Sequence, residues 1–270
     1  MPLSEKQGVG SSILPLATNM KNLILEAIKI SKIKKLIHVG GHIGQEIEFY
    51  VSLNLDNVVF FEPIKKFADQ IKNKTIDLDN FEVCQFGLGN ENKNELIYIA
   101  DEGGEKDNSG SSSLLQPRPS SIAFSKHEQV KIMKFKSLNF ENFDCAVIDT
   151  QGYEKQVLEG FEDKISSFKF LVVEFSNYEG YIGQVVYKDL NKFLNKNNFY
   201  MIKQIKKVNR VFSNEQNGSY GDALYINKGL INARNVVFLK IKYMLVNNFI
   251  SDAINKYTKK GTYKKLLKRY

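Results

Sequence analysis

A chain of 270 residues with 43% hydrophobic content can bury one substantial core, which favours a single α/β domain of roughly 200–250 residues with appendages. Two cysteines, Cys84 and Cys145, give neither a disulfide framework nor a C-x-x-C metal spacing, and no uninterrupted apolar run precedes Lys21; a reduced, cytoplasmic protein with no signal peptide or membrane span is expected. The net charge of +8 is unevenly placed, because residues 229–270 carry ten Lys or Arg against the single acid Asp252 and leave the other 228 residues close to neutral.

In chain order, residues 1–16 are rich in Gly, Ser and Pro and are expected to be loosely ordered. Thr18 to Ile30 has helical apolar spacing. Leu36 to Val39 is a short apolar run bounded by glycine, the pattern of a strand buried on both faces of a parallel sheet. Gly44–Leu53 and Ile64–Asn73 are predicted helices around a second strand, Val58 to Phe61, with Pro63 placed to open the later helix. Phe81 to Phe86 is the third strand, followed by a loop from Gly87 to Asn92.

Glu95–Ala100 and Val130–Phe135 alternate apolar and polar residues, predicting a small hairpin-like excursion that carries the polar segment 101–129. An irregular segment of that length usually serves as a lid or binding loop, or is a mobile linker. Cys145 to Asp149 is the next core strand, Tyr153–Glu159 its helix and Phe170–Phe175 the strand after it. Tyr187–Asn195 is a helix, and Phe199–Lys203 with Ala223–Asn227 a closing antiparallel pair. The segment VVFLKIKYMLVNNFISDAI near the C-terminus combines helical apolar spacing with basic residues. It is suited to packing on its own domain, to pairing with a second subunit as a homo-oligomer, or to lying on an anionic membrane face. No nucleic-acid recognition motif accompanies the charge. The expected division is thus an N-terminal segment and leading helix (1–30), a catalytic domain (31–228) and a basic helical appendage (229–270).

Residues 36–62, LIHVGGHIGQEIEFYVSLNLDNVVFFE, carry the strongest chemical signal. An apolar strand runs into Gly40, Gly41 and Gly44, which permit positive φ and let a ligand touch the main chain. Glu62 closes the next apolar run, 22 positions after Gly40. In a βαβ unit its carboxylate stands beside the glycine turn, where it can accept hydrogen bonds from ribose hydroxyls. The first two glycines are adjacent, so the full G-x-G-x-x-G of dinucleotide proteins is absent. That favours a nucleoside with an uncharged link, such as S-adenosylmethionine, over NAD.

Asp149 ends the buried strand CAVID at the edge where open α/β sheets bind ligands, and Glu174 ends the next strand beside it. Asp149 is the expected catalytic residue, an orienter and general base for a hydroxyl, or else a helix cap. Glu174 is placed to bind a hydroxyl, share a proton or hold a metal. His38, His42 and His127 form no ligand spacing, and no metal is expected. Glu154, one helical turn beyond Asp149, and the loop aromatics Tyr178 and Tyr181 are candidate substrate contacts, and aromatics there equally suit local packing.

In order, LIHVGGHIGQE, VVFFEP, NSGSSSLL (108–115), AVIDTQGYEKQVLEGFED (146–163), LVVEFSNYEGYIGQ (171–184) and GDALYI (221–226) resemble the FkbM family of S-adenosylmethionine-dependent methyltransferases over roughly residues 30–228. The D-T-Q-G-Y-E-x-x-V-L-x-G segment and the serine cluster are the more specific parts. His38 departs from the pattern, standing where many members carry Asp. The resemblance implies a Rossmann-like class I methyltransferase fold, with a mostly parallel seven-stranded sheet, an antiparallel final strand and helices on both faces. It implies S-adenosylmethionine as cofactor, held by His38, Gly40, Gly41, His42, Gly44, Glu62, Pro63, Gly87, Leu88, Ser111, Ser112, Ser113, Asp149, Thr150 and Gln151. It also implies O-methylation of a hydroxyl on a sugar or glycan precursor, with Asn108 among the acceptor contacts. An NAD-dependent oxidoreductase and a non-catalytic binding protein that keeps the fold are the alternatives.

Overall fold

A computed structural model describes residues 13–101, 108–119, 122–209 and 218–231, with side chains beyond position 18 and outside 207–209. Most of segment 1–16, Asp107 and the basic segment from 232 onward therefore lie outside the described residues. Seven strands form one sheet in the order β3-β2-β1-β7-β8-β10-β9. They are β1 (Lys35–Val39), β2 (Asn57–Phe61), β3 (Phe81–Cys84), β7 (Cys145–Ile148), β8 (Phe170–Ser176), β9 (Phe199–Asn209) and β10 (Gly218–Asn227). Strands β3, β2, β1, β7 and β8 are parallel neighbours, and β10 runs antiparallel to both β8 and β9. This is the Rossmann-like methyltransferase architecture that the sequence implies.

The chain winds from β1 outward through β2 to β3, then returns to β7 on the other side of β1. The strand order reverses between β1 and β7, and open α/β sheets bind ligands outside the carboxyl ends of strands at such a point. Strand residues alternate between two buried faces. Ile37, Val39, Val59, Phe61, Ala146, Ile148, Leu171 and Val173 meet Val157 and Leu158 of α4 (Glu154–Gly160) and Leu190 and Leu194 of α5 (Tyr187–Lys196). On the opposite face, Phe60 meets Tyr50 of α2 (Ile47–Ser52) and lies, with Ile71 of α3 (Lys65–Lys74), against Gly41. The leading helix α1 (Ile13–Ile30) packs on β8, β9 and β10 through Met20, Leu23, Ile24, Ala27 and Ile30, the apolar stripe of a surface helix. It starts five residues before the expected Thr18.

The excursion predicted between 95 and 135 is a second, three-stranded sheet of β4 (Gly87–Leu88), β5 (Lys93–Ile99) and β6 (Lys126–Met133), with β5 and β6 antiparallel in register from Lys93–Ile132 to Ile99–Lys126. β3 ends at Cys84 rather than Phe86, and the chain resumes pairing in the small sheet at Gly87. That sheet borders the carboxyl edge of the large one, so its connecting segment reaches the switch point.

Candidate active site

The tips of β1, β2 and β7 are fixed to one another by main-chain hydrogen bonds. Gly40 N–H donates to Phe61 O (2.9 Å), Asp149 N–H to Val39 O (3.0 Å) and Glu62 N–H to Cys84 O (3.1 Å). At Gly40, φ is +85° and a Cβ would stand 1.8 Å from the carbonyl oxygen of Asp149, so no other residue fits where the two tips pass. These tips open into one cleft enclosing about 540 Å³, open mouth included, whose walls include Gly40, His42, Glu62, Gly87, Ser113 and Asp149.

At one end of the cleft Glu62 is 4% exposed. Its Oε2 accepts from His42 N–H (2.8 Å) and its Oε1 from Ile64 N–H (2.9 Å). Burial pushes its carboxyl up to about 7, against the opposing pull of those two amides. Each carboxylate oxygen has a second lone pair to offer a hydroxyl. Beside it Ile64, Phe67, Leu88, Ile97 and Leu114 line an apolar slot, suited to a purine face. His42, at φ 45°, lays its ring against Phe67 (4.4 Å between centroids), and its Nε2 hydrogen-bonds Ser109 Oγ at 2.8 Å. The glycine tip, the buried carboxylate and the apolar slot fit an adenosyl group.

At the other end, the side-chain amide of Gln151 donates to Asp149 Oδ1 (2.7 Å) and to Glu174 Oε2 (3.1 Å). Burial raises the Glu174 carboxyl well above the ordinary range, and Asp149, Glu154 and Asp222 add to the shift. Asp222 lies directly across the ladder from Glu174. The serine segment closes this end, with Ser113 Oγ donating to Gln151 O (2.7 Å) and Tyr181 O–H donating to Ser111 O (2.7 Å). Pro117 bridges Tyr181, and Arg118 N–H donates to Gly180 O (3.0 Å), so segments 108–119 and 178–184 are fastened together.

Of the expected cofactor contacts, Gly40, His42, Glu62, Pro63, Gly87, Leu88, Ser112, Ser113, Asp149, Thr150 and Gln151 line the cleft. Several others lie elsewhere. His38 points into the core by strand alternation, stacked on Phe60 (5.3 Å) with Nδ1 2.9 Å from Tyr50 Oη, and burial lowers its pKa to about 3, so it stays neutral. Gly41 makes room for Phe60 and Ile71, and Gly44, at φ +70°, serves the turn into α2. Ser111 offers its carbonyl to Tyr181 and its N–H to Asn108 and does not line the cleft.

Glu154 is not placed to meet a substrate. Its Oε1 accepts from Thr150 N–H and Gly152 N–H (3.0 Å each) and lies 3.2 Å from Thr150 Oγ1, which locks the turn after β7. Asn108 opens the short 3₁₀ turn Ser109–Ser111, its carbonyl accepting from Ser111 N–H (2.8 Å). Glu174, Tyr178 and Tyr181 lie behind Gln151 rather than on the cleft wall. Asp149 does not cap α4, whose capping residue is Tyr153. Residues not anticipated include Ile64, Phe67, Ile97, Ser109 and Leu114 on the wall. The amphipathic face of α3 immediately after Pro63 is the signal for Ile64 and Phe67. Among the described residues, no group of three or more His, Cys, Asp or Glu side chains is arranged to hold a metal ion, and no helix is long and apolar enough to cross a membrane.

A switch-point cleft with a buried carboxylate at the tip of β2 and a second acid at the tip of β7 is the arrangement expected of a class I methyltransferase. The family model described as the methyltransferase FkbM domain matches residues 38–201, more than half of the chain, and the protein belongs to that family of S-adenosylmethionine-dependent methyltransferases. Three solved structures are similar to it. The FkbM methyltransferase of Methylobacillus flagellatus KT is 13% identical (TM-score 0.45), over 79% of this chain and 49% of that one, so the match spans about half its length. Magnesium protoporphyrin IX methyltransferase of Synechocystis PCC 6803 with bound S-adenosylmethionine is 8% identical over 83% and 87% (TM-score 0.47). An N-methyltransferase of Bradyrhizobium japonicum WM9 in complex with S-adenosylhomocysteine is 10% identical over 78% and 86% (TM-score 0.45). Among curated proteins no sequence matches the chain.

Proposed function

We propose that the protein methylates a hydroxyl group on a sugar or glycan precursor, in the cytoplasm. The observation that carries the reading is the Asp149–Gln151–Glu174 cluster at the acceptor end of the cofactor cleft. The cofactor supplies an activated methyl group, so the protein's task is alignment and proton removal. Glu62 holds the ribose and the apolar slot holds the base. Gln151 holds the two carboxylates together, and burial keeps a proton on Glu174 while Asp149 is the base. The acceptor hydroxyl would donate to Asp149, which would orient its oxygen toward the methyl group that the cofactor would supply and would take up the hydroxyl proton as the methyl leaves sulfur for oxygen. The fastened serine segment keeps water from that end of the cleft. The sugar itself is inferred from the family resemblance. In the same reading the basic C-terminal segment meets an anionic membrane face or a second subunit.

The test is transfer of isotopic methyl from S-adenosylmethionine to glycan fractions of a cell extract. Label in a glycan, recovered as a methyl ether and lost in Asp149→Asn, supports the proposal. Label only in nitrogen or carbon products contradicts it.

A further inference from the structure

The short turn Ser109–Ser111 is bonded to both ends of the cleft. At the adenosyl end Ser109, 2% exposed, places its hydroxyl 2.8 Å from His42 Nε2. At the acceptor end the carbonyl of Ser111 accepts from Tyr181 O–H (2.7 Å). Between these anchors the turn is closed on itself. Ser111 N–H donates to Asn108 O (2.8 Å), and Ser112 donates to Ser109 O through both its N–H (3.2 Å) and its hydroxyl (2.7 Å). A unit so small and so fully cross-bonded shifts as one body, and a displacement at Ser111 is passed on to Ser109.

His42 carries the link on to the cofactor seat. Its backbone lies in the left-handed region at φ 45°, which is uncommon for a residue with a Cβ. Its N–H is one of the two donors on the Glu62 carboxylate (2.8 Å), and its ring stands edge-on to Phe67 at 4.4 Å. Such a conformation persists only while the surroundings hold it, and the Ser109 hydroxyl is one of the holds. His42, Glu62, Phe67 and Ser109 all line the cleft, whereas Tyr181 does not. Building on the methyltransferase reading above, we infer that the Ser109–Ser111 turn is a strap that couples the two ends of the cleft, with Ser109, His42 and Tyr181 as its positioning residues. Tyr181, from the acceptor end, thereby helps to set the affinity for the cofactor.

Calorimetry with S-adenosylhomocysteine on the wild type, Ser109→Ala, Tyr181→Phe and the double variant tests this, each change removing one hydroxyl. Ser109→Ala should weaken binding about 5-fold, the scale of one neutral hydrogen bond, and Tyr181→Phe about 3-fold, the low end of coupling within one hydrogen-bond network. The double variant should bind no worse than Ser109→Ala, because the strap has already lost its grip on His42. A urea melt certifies that each variant is folded. Where Ser109→Ala is not, His42→Asn takes its place in the cycle, since asparagine tolerates the left-handed φ and is too short to keep the bond to Ser109. An unchanged affinity in either single variant, or losses that multiply in the double one, overturns the coupling and leaves these bonds local supports of the loop. Failure of the wild-type chain to bind S-adenosylhomocysteine would instead defeat the cofactor reading itself.

Discussion

The two ends of the cleft are built in opposite ways. The end proposed for the adenosyl group comes mainly from one βαβ unit, residues 35–67, which supplies main chain, one buried carboxylate and half of an apolar slot that Leu88, Ile97 and Leu114 complete. The acceptor end is assembled from three distant segments, 108–119, 149–154 and 174–184, held by side-chain hydrogen bonds. A unit set by backbone geometry has little room for change, whereas one closed by loops can be reshaped for a new acceptor without disturbing the cofactor.

Substitution at matched glycines breaks the comparison most sharply. Gly40→Ala forces a Cβ to within 1.8 Å of Asp149 O at φ +85°, so denaturant unfolding should show a loss of about 4 kcal/mol or more. Next in size, Asp149→Asn should lower turnover by about 100-fold or more, the contribution of a positioned base, and reduce S-adenosylhomocysteine affinity far less. Glu62→Gln should reverse that pattern, weakening S-adenosylhomocysteine by about 1–3 kcal/mol in calorimetry. The wild-type affinity should also depend on pH. Ribose hydroxyls donate to the ionised carboxylate, so binding is full above the free-protein value of about 7 and falls as pH drops through it. In Glu62→Gln the slope between pH 8 and 6 should shrink. The smallest effect belongs to the acceptor-end glycine. At Gly183 φ is +84° but a Cβ meets nothing within 4 Å, so Gly183→Ala should cost only about 1–2 kcal/mol of backbone strain.

The same contrast explains what was legible in the sequence. The strand–glycine–helix–strand order, Glu62 and the acid ending β7 follow from local periodicity and punctuation, and each stands at a strand tip. Where a side chain's role depends on a partner far along the chain, the sequence was silent or misleading. His38 is adjacent to the glycine turn, yet strand alternation points its ring at Tyr50 and Phe60. Glu154 looked like a pocket acid, but its carboxylate is consumed by the amides of Thr150 and Gly152. Ser109 gained a role through His42, which lies 67 residues earlier.

The central claim is that the tips of β1, β2 and β7 form one seat for an adenosyl sulfonium. A crystal structure with S-adenosylhomocysteine tests it most directly. The account predicts ribose hydroxyls on the Glu62 carboxylate, the adenine between Phe67 and Leu114, and the sulfur turned toward Asp149. A cofactor bound outside this cleft, or seated in it with its ribose away from Glu62, would contradict it.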